Sequence, residues 1–240
     1  MEAQKEAKQT VLISFFRFTP GKRLWAMFQM AIIPGNLKRL KGLTFSKILG
    51  TGGGEGYNFK PDFRTYALLT VWERSEYAFN FESHSRVMKK FRNHSAEIYS
   101  LFLSPIQSRG KWSGKNPFQP SNDTSTHSII VVLTRATLKI KYYIPFWKRV
   151  GKVSKSLENF PGLIFTKGIG ERPWIMQATF SVWRSVKDME EFAHNKEGNH
   201  YEAISTTRRL KGFREELYAR FKPIETRGTW RGKDPVGLLM

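Results

Sequence analysis

Histidine is the residue type in this sequence with the widest scope for chemistry, because the chain contains five histidines and no cysteine. Its side chain transfers protons near neutral pH and is a common ligand for metals and for haem iron. His84, His94 and His200 each have apolar neighbours at helical spacing, so each can lie on the inner side of a helix. A buried histidine with satisfied hydrogen bonds explains the same pattern, and the residues alone leave both interpretations open.

The absence of cysteine excludes disulfides, iron–sulfur clusters, thiolate-ligated haem and cysteine nucleophiles. The sequence also contains no HExxH zinc motif and no nucleophile elbow around a serine. Hydrolase and zinc-enzyme classes are therefore not indicated.

A glycine-rich segment, Gly50–Gly56, is the most conspicuous local feature. A phosphate-binding loop needs a Gly-Lys-Ser/Thr ending and a helix directly after it, whereas Tyr57–Pro61 follows here. The pattern favours a flexible connection between two strands. A role as a lid over a site is a second interpretation.

The chain is strongly basic, with 40 Lys and Arg against 20 Asp and Glu and a net charge of +20. A field of this sign attracts nucleic acid, anionic membranes or an acidic protein. The RNP1 motif of RNA-binding ferredoxin-like domains is absent, so we expect no nucleic-acid partner. The polar start of the chain lacks a signal-peptide pattern, and the apolar stretch Leu24–Pro34 is too short to span a bilayer. We expect a cytoplasmic protein that can associate with the inner face of the membrane.

The elements that must position these residues are arranged as an internal repeat, at offsets of about 111 to 120 residues. Three segments recur in the same order. They are Gly42–Gly50 and Gly162–Gly170, Tyr66–Trp72 and Gln177–Trp183, and Pro105–Lys115 and Pro223–Lys233.

Each half reads as strand, helix, two strands, a long helical region and a closing strand, which is the ferredoxin-like order. The long helical regions are predicted over Glu76–Leu103 and Val186–Phe221. We predict an α+β fold with an N-terminal half at residues 1–115, a linker at 116–127 and a C-terminal half at 128–240. Alternation puts Ala67, Leu69 and Val71 on one apolar face, and Ala178, Phe180 and Val182 on its counterpart. Two such faces can bury each other, giving a dimeric α+β barrel within one chain.

Several longer motifs resemble the spheroidene monooxygenase family of carotenoid biosynthesis. They are Phe15–Phe18, Leu24–Met30, Gly50–Tyr57, Leu133–Thr137, Lys167–Glu171, Phe180–Trp183 and Glu216–Phe221. The resemblance covers nearly the whole chain except its first ten residues and the linker.

This resemblance implies a haem b monooxygenase on the dimeric α+β barrel. Such an enzyme takes O2 and electrons from a ferredoxin-based reductase to oxidise an acyclic carotenoid at its C2 position, first to an alcohol and then to a ketone. The alternatives are a cofactor-free barrel monooxygenase, a haem- or carotenoid-binding protein without turnover, and a non-catalytic nucleic-acid-binding protein. With no cysteine available, histidine is the expected iron ligand.

The resemblance also directs the choice of ligand, since related barrel haem proteins carry it on the helical region after the third strand of one half. His194 lies beside Glu190 and Glu191 and is expected to be solvated, which leaves His200 as the predicted ligand and His94 as the alternative. Arg208 and Arg209 are placed to reach the haem propionates. Gln177, Thr179 and Trp183 are predicted to form the semi-polar wall across the pocket, and the bulkier Tyr66, Leu68 and Trp72 count against the first half.

Overall fold

A computed structural model describes residues 8–53, 61–121, 129–142, 144, 160–172, 176–194 and 212–239. These residues form eight strands and four helices, with short 3-10 turns at Pro20–Lys22, Ile140–Tyr142 and Gly237–Leu239. In chain order the elements are β1 (Thr10–Phe18), α1 (Arg23–Leu37), β2 (Leu43–Gly52), β3 (Pro61–Trp72), α2 (Ser75–His84), α3 (Arg86–His94), β4 (Ser95–Gly110), β5 (Ile130–Leu138), β6 (Leu163–Arg172), β7 (Met176–Trp183), α4 (Val186–His194) and β8 (Phe213–Gly228).

The strands close into one barrel in the order β1-β3-β2-β6-β7-β5-β8-β4, and every neighbouring pair is antiparallel. The halves meet along a long seam between β4 and β8 and a short one between β2 and β6, where Gly50 pairs with Gly170 and Thr51 with Ile169. The predicted α+β barrel within a single chain is confirmed.

The barrel interior is the main hydrophobic core, and it contains both predicted apolar faces, from Ala67 to Val71 and from Ala178 to Val182. Aromatic rings join the halves at its centre, where Phe15 lies 5.4 Å from Phe165 and 5.5 Å from Phe180 between ring centroids. Burial of these rings stabilises the closed barrel, because aromatic side chains remove the largest apolar areas from water.

The outer face of the first half is covered by α1, α2 and α3. Phe16 on β1 lies 4.4 Å from Phe91 on α3 between ring centroids, and Trp72 on β3 lies 5.0 Å from Phe81 on α2. A second hydrophobic cluster therefore fills the space between sheet and helices on this side.

Two of the predicted helical regions are wrong over their C-terminal parts. Helix α3 ends at His94 and the chain continues as strand β4, and Phe213–Phe221 belongs to strand β8. The segment from Tyr99 to Leu103 is buried on both faces, so apart from Ser100 it reads as an apolar run. Periodicity does not separate such a strand from a buried helix.

Each half ends its last strand with the same tight turn. Ser113 and Gly114 have φ values of 56° and 84°, and Arg231 and Gly232 have 56° and 75°, as in a type I′ turn. Each turn binds a glutamate of the other half: the N–H groups of Ser113 and Gly114 donate to Glu215, and that of Gly232 donates to Glu97. These contacts stabilise the β4–β8 seam.

Part of the predicted linker lies in the core. Phe118 is buried and its ring centroid lies 5.0 Å from that of Phe221. Residues 122–128 lie outside the described residues, and the division into two halves stays a prediction.

Candidate functional site

On the outer face of the second half, several described side chains are accessible at places where their first-half counterparts are buried. Strand alternation and register bring together Thr134 and Ala136 of β5, Gln177 and Thr179 of β7 and Tyr218 of β8. All five are partly accessible to solvent, whereas Ser14, Phe16, Tyr66, Leu68 and Ser100 at the matching places in the first half are buried. This face is the candidate site.

Side-chain size also differs between the two faces. In the first half the register pairs Phe16 with Tyr66 and Leu68 with Ile48. The matching pairs in the second half are Ala136 with Gln177 and Thr179 with Gly168. At four neighbouring positions a large side chain is thus replaced by a smaller or more polar one, and we call this part of the face the second-half concavity. Gln177 and Thr179 were predicted as its wall. Ala136, Thr134 and Tyr218 were missed, although comparing the two repeats position by position would have found them.

Trp183, the third predicted wall residue, closes the far end of this face. Its indole N–H donates to Ser181 Oγ at 2.8 Å, and its ring lies 5.8 Å from Phe160 and 5.2 Å from Phe192 between centroids. In the first half Trp72 makes the same kind of bond, to Thr70. Trp183 therefore anchors α4 on the sheet as Trp72 anchors α2.

Basic side chains border the open end of the site. The guanidinium groups of Arg109 and Arg220 lie 5.1 Å and 5.6 Å from the centroid of the Tyr218 ring, within cation–π range. The Tyr218 hydroxyl lies 3.8 Å from the Met189 sulfur, and Arg220 also pairs with Glu190 at 3.4 Å. The site thus combines small, semi-polar sheet positions with a cationic edge.

The predicted ligand His200 and the predicted propionate partners Arg208 and Arg209 lie outside the described residues. The alternative ligand, His94, stacks on Trp25 with ring centroids 3.9 Å apart, and its Nδ1 lies 2.8 Å from the Lys90 carbonyl oxygen. His84 is exposed on α2. Across the described ranges no three His, Asp or Glu side chains come together as a metal site.

The described wall fits a flat apolar group such as haem. A planar macrocycle needs a shallow surface free of large side chains, and the partly accessible Ala136 and Thr179 have small side chains. The aromatic cluster around Phe16 and Phe91 leaves no comparable space against the first half. Cationic groups beside Tyr218 would face the carboxylates that haem carries.

A separate polar cluster lies inside the barrel, at the mouth next to the turn at Ser113. Arg135 projects from β5, where it pairs with Glu215 and lies 3.4 Å from Glu171. Lys47 and the Trp112 indole N–H also donate to Glu171, at 2.5 Å and 2.9 Å. Burial alone would raise the pKa of Glu215, but the N–H groups of Gly114 and Ser113 and the Arg135 guanidinium lower that pKa below its ordinary value.

The chain is similar over most of its length to three curated proteins, each a spheroidene monooxygenase. The protein of Cereibacter sphaeroides is 39% identical over 230 residues, covering 95% of this chain and 71% of the relative. That of Rhodobacter capsulatus is 38% identical and covers 93% and 94%, and that of Rubrivivax gelatinosus is 31% identical and covers 89% and 82%. No protein-family model matches the chain.

Solved structures agree with the fold. An aldoxime dehydratase superposes with a TM-score of 0.63, covering 99% of this chain and 89% of its own. A second aldoxime dehydratase, crystallised with butyraldoxime, superposes with a TM-score of 0.57. Both are only 10% identical in sequence to this chain, so the likeness concerns the barrel and not the chemistry.

Proposed function

The chain belongs to the spheroidene monooxygenase family, and from this premise we propose that it oxidises an acyclic carotenoid with O2. It is an oxidoreductase of the monooxygenase class. One oxygen atom of O2 enters a C–H bond of the substrate and the other leaves as water, with two electrons and two protons supplied by a reductant. A second turnover at the same carbon gives a geminal diol, which loses water to become a ketone.

The family relationship carries this proposal, because identity of 38–39% extends over more than nine-tenths of the chain in two relatives. The test is expression in a bacterium that accumulates spheroidene, with pigment analysis by mass spectrometry. We expect products that carry one additional oxygen, with the modified carbon at C2. An unchanged pigment profile in cells that contain the folded protein would contradict the proposal.

We further propose that the second-half concavity holds haem b and the reacting end of the carotenoid. The observation that supports this is the replacement of Phe16, Tyr66, Leu68 and Ile48 by smaller or more polar residues on one face only. Haem supplies O2 activation when it is bound, and a ferredoxin-type reductase supplies its electrons.

In this scheme the residues of the chain bind and orient the haem and the substrate. Ala136 and Thr179 leave room for a flat group, and the arginines at Tyr218 border its polar edge. His200 stays our proposed iron ligand, and we propose that Arg208 and Arg209 pair with the haem propionates. Hemin titration of His200→Ala beside His94→Ala tests this: loss of the Soret band in His94→Ala alone would refute the assignment. A wild-type protein that binds no hemin and still oxidises carotenoid would establish a cofactor-free monooxygenase instead.

The substrate is a membrane pigment, and we propose that α1 is the surface that contacts the membrane. Three side chains at four-residue spacing form an exposed apolar stripe on this helix: Leu24 is 68% exposed, Phe28 61% and Ile32 49%. Monomeric proteins in water rarely expose such a contiguous row of large apolar side chains. In the described ranges no helix is long and apolar enough to cross a bilayer.

The charges around this stripe suit an anionic bilayer. Residues 7–54 contain eight Lys and Arg and no Asp or Glu. Lys22 and Arg23 are exposed at the start of α1, and Lys38, Arg39 and Lys41 at its end. Each basic group near an anionic surface contributes roughly 1 kcal/mol to binding, and salt screens the attraction. The helix packs on β2 and β3, so it borders the β2–β6 seam and the edge of the second-half face.

Vesicle flotation tests this surface. We expect binding to vesicles of phosphatidylglycerol and phosphatidylcholine that weakens with salt and with the triple change Leu24→Gln, Phe28→Gln and Ile32→Gln. Leu238→Gln, at an apolar residue elsewhere that is 86% exposed, is the control and should bind as the unmodified protein does. Equal flotation of the triple variant would refute α1 as the contact.

A further inference from the structure

A cavity of about 360 Å³ lies at the barrel mouth, on a different face of the sheet from the proposed carotenoid site. Its walls include Arg135 and Thr137 near the end of β5, Arg214 and Glu215 at the start of β8, and Lys111 beyond the end of β4. Arg135 and Thr137 alternate with Thr134 and Ala136, so they face inward where the latter face outward. The cavity is therefore separate from the concavity assigned to haem.

Two buried polar atoms on this wall have no hydrogen-bond partner. Arg135 is 3% exposed, and although its two terminal nitrogens reach Glu215 and Glu171, its Nε is unsatisfied. Thr137 is 6% exposed and its Oγ1 is also unsatisfied. Buried hydrogen-bond donors are almost always paired in folded proteins. Two unpaired polar atoms on one cavity wall therefore indicate a partner supplied from outside the chain.

The charge of the cavity limits what that partner can be. Lys111 and Arg214 add two positive charges, and neither has an ion-pair partner among the described residues. The one acidic wall residue, Glu215, already accepts hydrogen bonds from Ser113, Gly114 and Arg135. What remains is a set of donors under a positive field, which suits an acceptor group bearing negative charge.

We propose that this cavity binds a small oxyanion, a phosphate or carboxylate group, on Arg135 Nε and Thr137 Oγ1 with Lys111 and Arg214 above it. The volume lies at the lower end of small-molecule sites, which suits a compact metabolite carrying such a group. The proposal does not depend on carotenoid oxidation, since Arg135 and Thr137, which supply the two unpaired atoms, face into the barrel.

Calorimetric titration with inorganic phosphate and, separately, with acetate tests the site, each at ionic strength held constant with chloride. We expect saturable binding of one equivalent of at least one anion. The anion that binds more tightly identifies whether the cavity prefers a phosphate or a carboxylate group. No saturable binding of either anion to the unmodified protein overturns the proposal and leaves water as the partner of Arg135 and Thr137.

Two variants locate the binding. Thr137→Val keeps side-chain shape and removes the hydroxyl, and the exposed pair Lys111→Gln with Arg214→Gln removes charge without touching the core. Each should weaken anion binding at least tenfold. Arg17→Gln, at the opposite mouth where Arg17 lies 3.9 Å from Glu97, is the matched control and should bind normally. Unchanged binding in both cavity variants overturns the assignment even if the protein binds anions elsewhere.

Discussion

Exchanging one residue between the halves tests whether the second-half concavity is a site or only a gap. Phe16 and Ala136 occupy matching strand positions, since Phe16 pairs with Tyr66 and Ala136 with Gln177. Ala136→Phe places a phenyl ring in the concavity, whereas Phe16→Ala removes one from the first-half cluster. The two changes are opposite in volume, and we expect Phe16→Ala to lower stability and Ala136→Phe to weaken ligand binding.

The magnitudes follow from burial. Phe16 is 1% exposed and packs 4.4 Å from Phe91 and 6.1 Å from Phe18 between ring centroids. Truncating a phenylalanine so buried costs about 3–5 kcal/mol of unfolding free energy. Ala136 is only partly buried, so Ala136→Phe should change the unfolding free energy much less than Phe16→Ala does.

Urea unfolding and hemin titration measure the two effects on the same samples. We expect Phe16→Ala to lose stability and keep its hemin affinity while folded. Ala136→Phe should keep its stability, bind hemin at least tenfold more weakly and lose carotenoid turnover. The reasoning is refuted if Ala136→Phe binds hemin and oxidises carotenoid normally, or if folded Phe16→Ala loses hemin binding.

The sequence predicts the barrel because its strongest signals are local or repeated. Alternation around Leu69 and Phe180 identifies the inner faces, and the repeated segments show that each half must supply one such face. The N-terminal part of strand β4 escapes prediction because Tyr99–Leu103 is buried on both sides and loses its two-residue period.

Long-range convergence is the part of the site that one sequence does not reveal. Arg135 meets Glu171 and Glu215 across separations of 36 and 80 residues, and nothing local in β5 marks a charged residue inside a barrel. The outward orientation of Gln177 and Thr179 follows from alternation, and their role as a pocket wall stays a prediction. Ala136 carries no polar or reactive group, so its small size becomes informative only when it is compared with its counterpart Phe16.

Three further outcomes follow from particular contacts. Gly110→Ala should destabilise the protein much more than Gly114→Ala: both residues have positive φ, but a Cβ on Gly110 would lie 2.2 Å from the Glu216 carbonyl oxygen whereas Gly114 faces open space. Chemical unfolding compares the two. Glu215→Gln should lower the unfolding free energy at neutral pH and make it depend less on pH in acid. The lowered pKa of Glu215 stabilises the fold at pH values above the unfolded-state pKa of about 4.3, and this contribution is lost as the pH falls through the folded-state pKa. Unfolding at pH 7 and pH 3 checks the sign. Thr179→Leu, which restores the first-half residue, should weaken hemin binding and leave the melting temperature within a few degrees.

The central claim is that this chain inserts one atom of O2 into an acyclic carotenoid, and isotope labelling tests it most directly. Cells that accumulate spheroidene and express the protein are supplied with 18O2, and the early alcohol product is analysed by mass spectrometry before a ketone can exchange its oxygen with water. The account predicts one 18O atom in that product and none in cells carrying Ala136→Phe. An unlabelled alcohol, or no oxidised carotenoid in cells that contain the folded protein, contradicts it.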